Sequence, residues 1–119
     1  MKRDERGVVT AEAALMMPLL ALALLVAAWL VSVALAQVRV ADAAREAARS
    51  LARGDSEATA VGLAQVAAPG SSVRVSRGDG EVRVEVRRRV DPIGGALRGL
   101  PGMIVKDSAV GVAESEAAP

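Results

Sequence analysis

The apolar and polar positions of the chain fall into three successive patterns. From Ala13 to Val38 the residues are apolar on every side, interrupted only by Pro18, Ser32 and Gln37, and no charge lies between Glu12 and Arg39. As a helix this run reaches about 39 Å at 1.5 Å per residue, against a hydrocarbon core of about 30 Å. It is long enough to span a bilayer with some tilt. The remaining residues are too few and too polar to wrap a helix that is apolar all round, which argues against a buried helix of a soluble protein.

From Val38 the apolar positions recur as Val38, Ala41, Ala44, Ala48 and Leu51, one face of a helix. Arg39, Asp42, Glu46, Arg49 and Arg53 step along another face. Arg39–Asp42, Asp42–Arg45 and Glu46–Arg49 lie within i,i+3 reach, and these charges are read as a solvated face. Because the apolar stripe is built largely of alanine, whatever packs on it comes close. Gly54 is expected at C′, ending the helix. A helix unbroken from about Val8 to Arg53 would be about 69 Å long.

Asp55-Ser56-Glu57 offers a new N-cap with an acidic first turn. A short helix is predicted over Glu57–Ala68, with Val61, Leu63, Ala64 and Ala67 or Ala68 on its apolar side, ending at Pro69-Gly70. The period then changes to two. Val73 and Val75 alternate with polar residues, Gly78-Asp79-Gly80 is turn chemistry, and Val82, Val84 and Val86 alternate with Arg83, Glu85 and Arg87. This predicts a β-hairpin with a valine face and a charged face. Asp91 to Gly102 is too rich in Gly and Pro for regular structure. A third strand is predicted around Lys106–Ala113 with Val110 and Val112 on one face. Three strands with one apolar face need a cover, and the alanine stripe of the long helix is the candidate. Residues 114–119 read as a loose tail.

Composition narrows the chemistry. Among 119 residues there is no Cys, His, Tyr or Phe and one Trp, Trp29. No disulfide framework is available to a small soluble part that is marginal in size. Without Cys or His the common metal sites and nucleophile–base pairs are absent, so no enzyme, metal site or cofactor is expected. The net charge of +1 and the lack of stacking aromatics give no nucleic-acid signal. Arg87-Arg88-Arg89 invites a nucleic-acid or acidic-lipid reading, but three basic residues at a strand end serve more simply as a solubilising edge.

The flanks of the apolar run are both basic: Lys2, Arg3 and Arg6 on one side, Arg39, Arg45, Arg49 and Arg53 on the other. The charge count alone therefore leaves orientation open. A short leader before the run and a longer domain after it favour a cytoplasmic N-terminus. A competing reading takes Ala34 and Ala36 before Gln37 as a signal-peptidase site, releasing a secreted domain. Against it, the apolar run is about twice the usual h-region, and the helical pattern continues past the cut.

A basic leader, a membrane helix with an acid at its mouth, an amphipathic extension and a small antiparallel sheet together resemble the type IV pilin plan. Gly7 followed by Glu12, directly before an apolar run, matches the prepilin peptidase motif. Within that superfamily the chain resembles the TadE-like minor pilins, or pseudopilins, of the tight-adherence pilus system. Glu12, Ala13-Ala14-Leu15-Met16-Met17 and Pro18 follow the family's order, and Ala41–Arg49 resembles its Ala/Arg-rich continuation.

The resemblance implies cleavage between Gly7 and Val8 by a prepilin peptidase. Glu12, about 6 Å along the helix from Val8, would then pair with the new N-terminal amine of a neighbouring subunit and set registry. Pro18, which cannot donate to the Ala14 carbonyl, would loosen the helix as it leaves the bilayer for a filament. The expected fold is α+β and pilin-like: a long N-terminal membrane-spanning and amphipathic helix, a short second helix and about three antiparallel strands. The expected organisation is a leader over 1–7, a transmembrane helix over 8–38, an amphipathic extension over 39–54, an extracytoplasmic α+β domain over 55–113 and a tail over 114–119. The expected partners are the peptidase, other pilin or pseudopilin subunits, the inner-membrane assembly platform and the bilayer, with no nucleic acid. The alternative function is that of a single-pass anchored envelope interaction protein that is never processed.

Overall fold

The computed structural model describes residues 5–92 and 99–113. The first residues of the expected leader, the middle of the Gly/Pro-rich loop and the expected tail lie outside the described residues. The elements, in chain order, are α1 (Glu5–Ala52), α2 (Glu57–Ala67), β1 (Ser72–Gly78), β2 (Glu81–Val90) and β3 (Met103–Val112). The fold class is α+β, as the periodicity predicts. The chain divides into two compact units between Val31 and Ser32.

The described part of the first unit is the N-terminal portion of α1. Its side chains are outward on all sides: Leu15 is 78% exposed and Leu24 71%, and Leu19, Leu20 and Leu22 are exposed with them. Helical structure continues through Pro18.

The second unit holds the core. Its helical part is the remainder of α1, and its sheet has the order β1-β2-β3 with both pairings antiparallel. Gly78 pairs with Glu81 around Asp79-Gly80, and these two residues have φ of 51° and 76°. Positive φ at both central positions is what a type I′ hairpin turn requires, and Asp-Gly is among its preferred sequences. Val84 and Val86 on the central strand are fully buried. They form one core with Ala36, Val40, Ala43, Ala44, Ala47, Ala48 and Leu51 of α1, and with Ala60, Ala64 and Ala68 of α2 and its cap. The alanine-rich face of α1 is thus the cover that the valine face of the sheet needs. α2 lies against β1.

The closeness of this packing is visible at Gly111. A Cβ placed there would meet the Ala48 carbonyl oxygen at 2.7 Å and the Ala52 Cβ at 3.4 Å. A glycine on the strand facing alanines on the helix is therefore a steric requirement of the helix–sheet distance.

Three sequence expectations are corrected. On α1 the buried positions are Ala36, Val40, Ala43/Ala44, Ala47/Ala48 and Ser50/Leu51, whereas Val38 is 57% exposed and Ala41 only partly buried. On α2 the alanines Ala60 and Ala64 face inward, while Val61 is partly buried and Leu63 and Val66 are exposed. β3 begins at Met103, and its inner face is Val105, Asp107, Ala109 and Gly111, paired with Arg88, Val86, Val84 and Val82. Val110 and Val112 lie on the opposite, exposed face. At Gly111 the smallest residue takes the inward position because the Ala48 backbone comes too close to admit a side chain.

The joint between the helices is closed by local hydrogen bonds. The Asp55 amide donates to the Ser50 carbonyl (3.2 Å) and the Gly54 amide to the Leu51 carbonyl (3.0 Å), with Gly54 at φ 90°. This is a Schellman cap, and Gly54 is its C′ residue as expected. Asp55 serves α1 rather than α2, since its Oδ2 accepts from the buried Ser50 hydroxyl at 2.7 Å. Ser56 caps α2, accepting from the Thr59 amide at 3.2 Å.

Candidate processing and assembly segment

The residues singled out by the motif lie on α1, within the first unit. Gly7 and Val8 both lie within α1, so the helix does not start at Val8. Glycine inside a helix costs about 1 kcal/mol relative to alanine. Gly7 has open space on all sides, with nothing within 4 Å of where a Cβ would stand, and Val8 is exposed. Just after the bond, the Thr10 hydroxyl donates to the Arg6 carbonyl at 2.8 Å.

Glu12 is exposed and has no ion-pair partner among the described residues. Its surroundings on the helix are Val8, Val9, Leu15 and Met16, all exposed apolar side chains. A carboxylate at the edge of an apolar surface, without an internal partner, is open to a cation supplied from outside this unit. Pro18 stands six residues on and deprives the Ala14 carbonyl of its usual donor.

Ala34, Ala36 and Gln37, the alternative cleavage residues, belong to the second unit. α1 passes through them without a break, Ala36 is buried in the core, and the Gln37 side-chain amide donates to the Lys106 carbonyl of β3 at 3.3 Å. Removing the chain up to Ala36 would take a core residue and the Val33 that packs beside it from this unit. The role of Gln37 as a tie between helix and sheet was not foreseen from sequence. The only signal for it was that Gln37 is an isolated amide at the end of an apolar run.

Further along α1, Arg45 pairs with Asp42 (3.3 Å) and Arg49 with Glu46 (3.8 Å), with all four side chains well exposed. The expected Arg39–Asp42 pair does not form. Exposed pairs of this kind contribute little to stability, in keeping with a solvated face. Among the described residues no group of three carboxylates gathers into a metal-binding cluster.

Among the described residues one helix is long and apolar enough to cross a membrane, and its apolar stretch is almost wholly unburied. The features so far define a protein with one such helix, an acid near its start, and a small α+β unit that includes the helix's C-terminal part. Residues 7–49 match the family model described as TadE-like protein. The match starts at Gly7 and ends three residues before α1 does. It takes in the motif, the apolar run and most of the alanine-rich face. Over this segment the chain is similar to TadE-like proteins. No curated protein and no solved structure matches the chain.

Proposed function

We propose that this protein is a minor pilin, or pseudopilin, inserted in the cell membrane by residues 13–38, with the N-terminus cytoplasmic and the α+β unit outside. A prepilin peptidase cuts between Gly7 and Val8. The processed subunit then takes part in assembling a tight-adherence-type pilus or related secretion filament, contacting sister subunits and the inner-membrane platform. The observation that carries this reading is the TadE-like match beginning at Gly7, with Glu12 unpartnered five residues later at the edge of a fully exposed apolar helix.

The chemistry of assembly follows from that placement. A carboxylate near the bilayer centre costs about 2.5–3.5 kcal/mol on insertion scales. Near the interface water reduces that cost. Cleavage creates an α-amine at Val8, a cation of the right sign for the Glu12 of an adjacent subunit. Uncleaved chains place no amine at that depth, so cutting precedes pairing.

The deciding measurement is the intact mass of the protein extracted from membranes of cells that contain the peptidase. A chain of Val8–Pro119 is expected, and Gly7→Leu should leave the leader attached. A mass beginning at Met1 would replace this reading with the unprocessed anchor, and one beginning at Gln37 with the secreted domain. Glu12→Ala is expected to abolish filament incorporation at normal protein level.

A further inference from the structure

We infer that Gln37 and Asp107 hold the free edge of the sheet closed against strand pairing with a second copy of this chain. The inference concerns the second unit alone and does not depend on the proposed function. It starts from the hairpin turn. Gly78 and Glu81 flank a two-residue turn, so they form a hydrogen-bonded pair. Both registers of the sheet run without interruption. The backbone groups of Glu81, Arg83, Glu85 and Arg87 therefore point to β1, and those of Val82, Val84, Val86 and Arg88 point to β3. The β3 partners of the latter, Gly111, Ala109, Asp107 and Val105, turn their N–H and C=O groups to β2. The Ala113 amide, of the same parity, accordingly donates to the Gly80 carbonyl at 3.0 Å. Ile104, Lys106, Ser108, Val110 and Val112 turn their backbone groups the other way, to an edge where no further strand lies among the described residues.

Such an edge is a template for another strand. β3 has ten residues, where strands usually have about five or six. A second copy of the same edge fits it. Turned about a two-fold axis, it offers its N–H and C=O groups in the order that the first copy accepts. In the register that uses the whole edge, Ser108 pairs with Ser108 of the copy at the axis, and Ile104 pairs with Val112 of the copy. Ile104 is 62% exposed and Val112 69%, and the pairing would cover both.

Two side chains occupy the centre of that register. The Ser108 amide donates to Asp107 Oδ1 at 2.8 Å, and the Lys106 carbonyl accepts from Gln37 Nε2 at 3.3 Å. These are adjacent groups of the edge, the C=O of one outward residue and the N–H of the next. Asp107 belongs by position to the inner face of the sheet, between Val105 and Ala109, and is half-buried there. It has no ion-pair partner among the described residues. Its carboxylate binds the backbone of its own edge instead. An arriving strand would have to bring a carbonyl to the place where Asp107 Oδ1 already stands, and an amide to the place where Gln37 already donates. An inward-pointing charge on an edge strand is one of the ways in which proteins keep sheets from joining. Among the described residues no other outward backbone group of β3 has a hydrogen-bond partner, so the closure rests on these two side chains.

Amide hydrogen exchange of the full chain in detergent micelles, read residue by residue by NMR over a range of protein concentrations, tests this. In the parent chain the Ser108 amide should exchange about tenfold more slowly than those of Val110 and Val112, with no dependence on concentration. Gln37→Ala/Asp107→Ala should remove the protection of Ser108 at low concentration. As the concentration of this variant rises, the amides of Ser108, Val110 and Val112 should slow together by about tenfold, as copies pair edge to edge. Should circular dichroism show that the double variant has lost its sheet, Asp107→Ala alone carries the same test with a smaller slowing. Fast exchange at Val110 and Val112 at every concentration of the folded variant would overturn the inference, whether or not the copies associate through α1. Concentration-dependent slowing at these two amides in the parent chain would also overturn it, because the edge would then pair with both side chains in place.

Discussion

The two portions of α1 use apolar residues in opposite ways. Up to Val31 the helix carries large side chains, Leu, Met and Val, and buries almost none of them. From Ala36 to Leu51 it carries mostly alanine on one face and buries nearly all of that face. The difference shows that hydrophobicity serves two separate ends along one helix. Large outward side chains suit a lipid or protein environment, where depth of coverage counts. A flat alanine face suits a sheet brought close, where distance counts. The TadE-like match takes in the first portion from Gly7 and the second as far as Arg49, whereas the sheet lies outside it.

This contrast can be broken from either side. The largest effect is expected for Val84→Asp. An unpaired carboxylate at a fully buried position costs more than about 4 kcal/mol, enough to unfold a small unit. The β signal in circular dichroism of the detergent-solubilised chain should be lost, while the protein still partitions with membranes. Leu22→Arg is expected to do the reverse. A charge at the helix centre costs about 2.5–3.5 kcal/mol on insertion scales, so the membrane-extracted fraction should fall severalfold, with thermal unfolding of the second unit unchanged. If either substitution moved both readouts together, the two portions would not be independent.

Smaller changes sharpen the distance argument. Gly111→Ala places a methyl group at 2.7 Å from the Ala48 carbonyl, and overpacking of this kind costs about 1–3 kcal/mol. The midpoint of thermal unfolding should fall by several degrees, and a compensating Ala52→Gly should restore little, because the close contact is with backbone. Ser56→Ala removes the cap of α2, at a cost of about 1 kcal/mol, a modest lowering of the same midpoint. Equal stability of Gly111→Ala and the parent chain would mean that the helix and sheet are not held at the separation described here.

The candidate site was legible because its signals are local. Gly7, Glu12, Pro18 and the uncharged run can be recognised in the linear chain, and their placement on α1 adds mainly that the Gly7–Val8 bond lies within helical structure. The partner that the proposed function gives Glu12 is not legible, because a contact between subunits would leave no trace in the order of one chain's residues. The contribution of Gln37 was missed for a related reason. Its acceptor is a backbone carbonyl far along the sequence, and every residue offers one.

For the fold, the sequence by itself determined the elements. The charge-free run, the Gly54 stop, the Ser56 cap, the Asp79-Gly80 turn and the alternating valines of β2 are each specified by neighbouring residues through helix propensity, capping and turn geometry. Only the tertiary structure decided which faces meet. Val38 and Ala41 lie on as good a helical stripe as Ala36, Val40 and Ala43, and Val110 and Val112 alternate as well as Ala109 and Gly111. Hydrophobicity ranks the valines first for burial. On β3 the inward places beside α1 go instead to Ala109 and Gly111, because a Cβ at Gly111 would meet the Ala48 carbonyl oxygen at 2.7 Å. At that crossing only the smallest residue fits.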